Sequence, residues 1–229
     1  MPDPYVNIHT HKPCKEYSIC IENVAISELQ KEKTIPDGFF SCGIHPWFIE
    51  SEVNTTREMQ KLEEIMYHNR MIAVGEAGLD KQCDTNFNLQ KETFKKQILL
   101  SEKIQKPLII HCVKTFEELL NIKKESYATQ QWIIHGFSSS GQMAQQLISK
   151  NCMLSFGQIL FKPESKACQT FTQLSPDVFF LETDDAAISI KEVYEKAAKL
   201  RNTNKEELKK QQMANFERIF NINLHDFKR

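Results

Sequence analysis

Residues 107–137 read PLIIHCVKTFEELLNIKKESYATQQWIIHGF. Two short apolar runs, PLIIHC at 107–112 and QWIIHGF at 131–137, flank a helical stretch from Thr115 to Ser126. Runs of that length, rich in isoleucine, read as buried strands. Thr115 with Glu118 reads as a capping box that opens the helix. Strand, helix, strand is the unit that builds a parallel sheet. Each run also carries a histidine near its C-terminal end, His111 and His135.

The same alternation extends along all 229 residues. YVNIHTH (5–11), YSICIENV (17–24), GFFSCGI (38–44), MIAVGEA (71–77), CMLSFGQ (152–158) and DVFFLET (177–183) are the other strand-like runs. Helical patterns cover Thr55–Asn69, Asn88–Gln105, Gly141–Asn151, Glu164–Leu174, Ile188–Leu200 and Lys205–Phe220. Eight strands alternating with helices predict an α/β fold, a TIM-type (β/α)8 barrel, as a single domain over residues 1–229. The barrel is small against the roughly 250 residues usual for the class. From His11 to Tyr17 the chain is too short for a crossover helix, which needs about a dozen residues. Distortion is therefore expected near the first two strands, with an open doubly wound sheet as the alternative.

Composition narrows the function. A net charge of −1 excludes a strongly basic footprint, so any nucleic acid must be held by local patches or bound cations. The seven cysteines are scattered, form no CxxC pair and follow no secretory leader pattern, which reads as free thiols in a cytoplasmic protein. No stretch approaches the ~18 apolar residues of a membrane span, so no membrane partner is expected. Oligomeric state is left open, monomer or otherwise.

The chemistry lies at the strand ends. His9 and His11 end the first run, Glu76 the fourth, His111 the fifth and His135 the sixth; Asp184 follows the eighth. His9 and His11 are two apart on a strand and so point the same way. C-terminal strand ends are where a barrel builds its site. Four imidazoles and two carboxylates form a mixed nitrogen–oxygen set suited to divalent ions such as Mg, Mn or Zn. Two ions sharing Glu76 would use all six, and paired ions are the usual machinery of phosphoester cleavage. His45, after the third run, is expected to line the pocket and contact substrate. Trp47 reads either as a base-stacking residue or as a packed one. His68 and His225 read as surface residues.

The order NIHTH (7–11), CGIHPW (42–47), AVGEAGLD (73–80), PLIIHC, WIIHGFSSS (132–140), LSFG (154–157), FLETDD (180–185) and NFERIF (215–220) resembles the TatD family of metal-dependent hydrolases, in the amidohydrolase superfamily. The resemblance covers nearly the whole chain. It implies a TIM-type barrel, a divalent metal site with His9, His11, Glu76, His111, His135 and Asp184 as ligands, and TatD-like deoxyribonuclease activity. His45 falls on the family's His-Pro histidine near the substrate. Val113-Lys114 stands where the family often has arginine, which offers Lys114 as a replacement phosphate contact. After Asp184 the chain runs Asp185-Ala186-Ala187-Ile188 straight toward a helix, instead of the family's Pro-Tyr segment.

The expected activity is metal-dependent hydrolysis of phosphodiester bonds, trimming DNA from its 3′ end. The expected partners are DNA ends or a small nucleotide substrate, and the expected cofactors are two divalent ions. Asp184 and Glu76 are the expected catalytic residues, with His45 and Lys114 binding substrate. The competing readings are a PHP-type phosphoesterase, an amidohydrolase acting on C–N bonds, and a non-catalytic metal-binding module.

Overall fold

A computed structural model describes residues 3–13, 17–29 and 35–223. Eight strands follow one another through one sheet in chain order: β1 (Tyr5–Thr10), β2 (Ser18–Ala25), β3 (Phe39–Gly43), β4 (Met71–Asp80), β5 (Leu108–Val113), β6 (Trp132–Ile134), β7 (Cys152–Phe156) and β8 (Phe179–Leu181). Pairing is parallel from β2 through β6 and between β7 and β8. A parallel bridge from Thr10 to Asp184 joins the end of the first strand to the residues after the last. This is the expected (β/α)8 barrel. Helices α1 (Ile26–Leu29), α2 (Glu52–Ile65), α3 (Phe87–Ile104), α4 (Phe116–Glu125), α5 (Gly141–Ser149), α6 (Lys166–Gln173), α7 (Ile190–Arg201) and α8 (Lys205–Phe220) complete it. Among the described residues no helix lies between β1 and β2, as the short connection requires. None of the described helices is long and apolar enough to cross a membrane.

The chain divides into two compact units, residues 21–135 and residues 1–20 with 136–229. In the first, β4 is buried along its whole length, as a parallel strand covered on both faces must be. Its ladder with β5 slips between Val74 and Ala77, which pair with Leu108 and Ile110, so β4 carries one extra residue there. Glu76 sits in that bulge, the device by which a strand re-aims a side chain. Gly75 and Gly78 flank it, both at φ +147°, and a Cβ would lie 2.4 Å from Ile109 O at Gly75 and 2.0 Å from His111 O at Gly78. Only glycine lets the two backbones approach this closely.

The capping box expected at Thr115 does not form. Thr115 precedes α4 without a side-chain cap. Its hydroxyl donates instead to Leu79 O at 3.0 Å, and Glu118 pairs with Lys81. Both groups are recruited by the end of β4, a contact between distant parts of the sequence that outweighs the local one. Ser189 and Glu192 do form a capping box, at α7.

In the second unit, Phe156, Phe171 and Phe179 pack ring against ring at 4.8–6.1 Å. The Arg201 guanidinium covers Phe171 and Phe179 at 5.3 and 5.1 Å and donates to Leu174 O. Tyr194 on α7 is fully buried, and its hydroxyl both accepts from Val6 N and donates to Val6 O, each at 3.1 Å. That pair of bonds anchors β1, which carries His9. Cys42, Cys83, Cys112, Cys152 and Cys168 are free thiols, but Cys20 is disulfide-bonded, contrary to the expectation of free thiols throughout.

Candidate metal centre

In the unit formed by residues 1–20 and 136–229, the backbone brings three side chains together. Asp184 N donates to His9 O at 3.0 Å and His11 N donates to Asp184 O at 3.3 Å, so Asp184 is laid against the end of β1. Asp184 takes a left-handed φ of +53° to do so. Its Oδ1 then lies 3.5 Å from His9 Nε2 and 3.3 Å from His11 Nε2. Asn7, two residues before His9, accepts from Thr183 N at 3.0 Å and donates to Thr183 Oγ1 at 2.8 Å. One buried amide thus fixes the residue before Asp184. The His9 side chain is fully buried, whereas His11 and Asp184 are 41% and 37% exposed. A cleft of about 200 Å³ opens beside Asp184, lined in part by Ser138, Gln158, Lys162 and Glu182. Glu182 Oε1 accepts from Gly136 N at 2.7 Å.

In the unit of residues 21–135, Glu76 is the hub. One carboxylate oxygen, Oε1, lies 2.6 Å from His135 Nε2, 3.0 Å from His111 Nδ1 and 3.2 Å from His45 Nε2. Asn23 on β2 accepts from Glu76 N at 2.8 Å and so holds the bulged backbone. On the far side of His111, Nε2 meets Asp80 Oδ2 at 3.0 Å. Asp80 also accepts from Trp47 Nε1 at 2.7 Å and from Gln82 N at 2.6 Å.

These contacts set charge. Burial opposes a charge on His111, but Glu76 and Asp80 outweigh it and raise its pKa above the ordinary imidazole value. Burial pushes the Asp80 carboxyl up, yet the bonds from Trp47, His111 and the Gln82 amide hold it below the usual carboxylate range. Burial lowers His45, and Glu76 does not restore it. Burial thus biases His45 toward its neutral form. Its Nδ1 accepts from Trp47 N at 3.1 Å, so its one proton sits on Nε2, pointing at Glu76. A ligand needs a lone pair where His45 carries that hydrogen. His45 is thus arranged as a donor, although its position alone would place it among the ligands. His111 is arranged the opposite way. Asp80 receives Nε2–H and leaves Nδ1 to face Glu76, the carboxylate–histidine pairing that orients metal ligands.

Two donor groups fit a divalent ion by their chemistry: His9, His11 and Asp184, and the Glu76 cluster. In the first, and in Glu76 with His45 and His111, one donor atom per residue lies within 4.8 Å of each of the others. Lys114 is exposed at φ +55° directly after β5. His68 is half-buried rather than a helix surface residue. It lies in the turn after α2, its Nδ1 accepts from Arg70 N at 3.2 Å, and its ring is 5.4 Å from Phe40. His225 lies outside the described residues.

The sequence reading missed the buried amides. Gln97 on α3, fully buried, accepts from Ile44 N at 2.7 Å and donates to Ile44 O at 3.0 Å, fixing the residue before His45. Gln90, two helical turns earlier, accepts from Asp80 N at 2.8 Å and donates to Asp80 O at 2.9 Å. Both lie on one face of α3. The available signal was their spacing: two glutamines seven apart, in register with the apolar residues Phe94 and Ile98.

The family model described as TatD related DNase matches residues 18–221. A Bacillus subtilis protein described as the uncharacterized metal-dependent hydrolase YabD is 29% identical over 201 residues, spanning 81% of this chain and 78% of that one. The Escherichia coli protein YcfH, with the same description, is 25% identical over 199 residues, spanning 80% of this chain and 74% of its own length. The crystal structure of the Escherichia coli TatD homologue YjjV superposes with a TM-score of 0.79 at 20% identity, covering 96% of this chain and 98% of that one. A TatD-family hydrolase from Entamoeba histolytica gives 0.73 at 13% identity, with 96% and 99% covered. The two structures share the fold.

Proposed function

The chain belongs to the TatD family of metal-dependent hydrolases, and from that premise we propose that it is a deoxyribonuclease that removes nucleotides from the 3′ end of a DNA strand. The observation that carries the reading is the pair of imidazole–carboxylate donor groups, one built on Asp184 and one on Glu76. In this reading His9, His11 and Asp184 hold one divalent ion, and Glu76, His111 and His135 hold another. A divalent ion lowers the pKa of a bound water toward neutrality and polarises a phosphoryl oxygen.

The remaining steps fall to side chains. Asp184, over a third exposed beside a cleft, accepts the proton of the attacking water. His45, whose Nε2–H faces Glu76 in the free protein, turns that hydrogen to a phosphoryl oxygen when substrate enters. Lys114 supplies a positive charge after β5. Asp80 keeps His111 in the ligand tautomer. With a net charge of −1 the protein has no broad duplex-binding field, which favours a strand end over long-range DNA tracking.

The test compares 3′-labelled single-stranded DNA, closed circular DNA, bis-p-nitrophenyl phosphate and a panel of small amides, each with Mg²⁺, Mn²⁺ or Zn²⁺. Stepwise loss of 3′ nucleotides, an intact circle and two ions per chain by elemental analysis are expected. Amide cleavage without phosphodiester cleavage assigns the chain to C–N chemistry instead. Failure to take up any metal overturns the whole reading.

A further inference from the structure

We propose that Trp47 is a stacking platform for an unpaired nucleobase, so that the substrate is gripped by a base as well as by its phosphate. The inference rests on the phosphodiester reading above. Trp47 is 58% exposed, while Trp132, the only other tryptophan in the chain, is fully buried. An exposed indole is ordinarily a mobile side chain. This one is fixed. Its Nε1 donates to Asp80 Oδ2 at 2.7 Å, and its backbone N–H is taken by His45 Nδ1 at 3.1 Å. The short 3-10 turn that carries it, Pro46–Phe48, begins with proline and closes with Phe48 N donating to His45 O at 3.0 Å. The ring stands edge-to-face against His45 and His111, centroids 5.1 and 5.7 Å away.

Two consequences follow from that geometry. The platform is ordered before anything binds, so little side-chain freedom remains to be lost on binding. It also shares Asp80 and His111 with the Glu76 cluster, which places a stacked base next to the bond being cut. Phe48, next in the chain and 50% exposed, extends the apolar surface. Stacking accepts every base, because every base has a π-face. A strand end trimmed without regard to sequence requires that tolerance.

Fluorescence provides the readout, since Trp132 is shielded and quenching by DNA reports Trp47. Metal-loaded protein is titrated with a single-stranded oligonucleotide and with one that is abasic over its last 3′ residues. Quenching by the first and not the second is expected, with KM for the abasic strand higher by about tenfold. Trp47→Ala is expected to raise KM for the base-bearing strand by a similar factor, and Trp47→Phe to recover most of that loss although it drops the bond to Asp80. Equal binding of both strands, or a Phe variant as impaired as the Ala variant, overturns the stacking role while hydrolysis of bis-p-nitrophenyl phosphate leaves the phosphodiester reading standing. No hydrolysis of any phosphodiester removes the reading and the stacking role together.

Discussion

The two donor groups use the same side-chain chemistry in opposite surroundings. Around Asp184, two of the three side chains are exposed by more than a third, and backbone bonds hold the group. Around Glu76, no side chain exceeds 11% exposure, and the carboxylate is ringed by three imidazoles. Partners behind that ring fix the proton positions: Asp80 behind His111 and the Trp47 amide behind His45. The difference teaches a division of labour. A buried carboxylate is expensive to desolvate and is stable only when its partners are in place. Such a group is preorganised and slow to change. An exposed carboxylate can exchange partners with water and substrate at little cost, which is what a proton acceptor must do.

Substitution should separate the two. Glu76→Ala is expected to cost turnover on the order of 10³-fold or more, through loss of a proposed metal ligand and of preorganised charge. In the metal-free protein it should also lower stability by roughly 3 kcal/mol in urea denaturation, as removal of one partner from a buried ionic group does. Asp184→Asn should cost turnover about 10²-fold while changing metal-free stability by less than about 1 kcal/mol, the range of exposed ion pairs. If the two variants are equally destabilised, the contrast between a structural and a reactive carboxylate is wrong.

Asp80→Asn sharpens the comparison within the buried cluster. It removes no proposed ligand, yet it releases His111 from the tautomer that presents Nδ1 to Glu76. Metal affinity is expected to fall about 10- to 100-fold, measured by competition with a chelating indicator. Metal affinity at the Asp184 group should be unaffected. Unchanged affinity at both groups would mean that Asp80 serves only the Trp47 indole.

The same contrast explains what was legible in the sequence. His9, His11, His111 and His135 could be placed because each ends or follows an apolar run, and strand direction then decides where it points. Glu76 was legible from its glycines, whose lack of a side chain the bulge requires. Asn7, Asn23, Gln90 and Gln97 were not. An amide that clamps a distant backbone has the same composition as one that faces water, and only the fold shows that Gln97 meets Ile44 53 residues away. Thr115 failed for the same reason. Its local capping pattern was sound, but Leu79 O, 36 residues earlier, took the hydroxyl. Cys20 likewise gave no sign of pairing in a chain with no CxxC spacing.

The smallest expected effect is on pH dependence, and it divides the buried cluster into two limbs. His111 has a raised pKa in the folded state, first opposed by burial and then carried up by Glu76 and Asp80. Its contribution to metal-free stability is fully present below the ordinary imidazole value of about 6.5 and is lost as pH rises through the raised value. His45 has a lowered pKa, chiefly through burial. The unfolded chain then binds a proton that the folded chain refuses, so stability is lost as pH falls below about 6.5 toward that lowered value. The two windows lie on opposite sides of one pH, so together they favour a stability maximum near it. Urea midpoints in excess chelator between pH 5 and 9 test this, with His111→Gln expected to flatten the alkaline limb and leave the acid limb in place. Divalent metal should lift the alkaline limb of the wild-type protein, because a ligating His111 must give up its proton. A wild-type alkaline limb that neither His111→Gln nor metal alters would show that His111 carries no extra proton, and that Asp80 holds it by geometry rather than by charge.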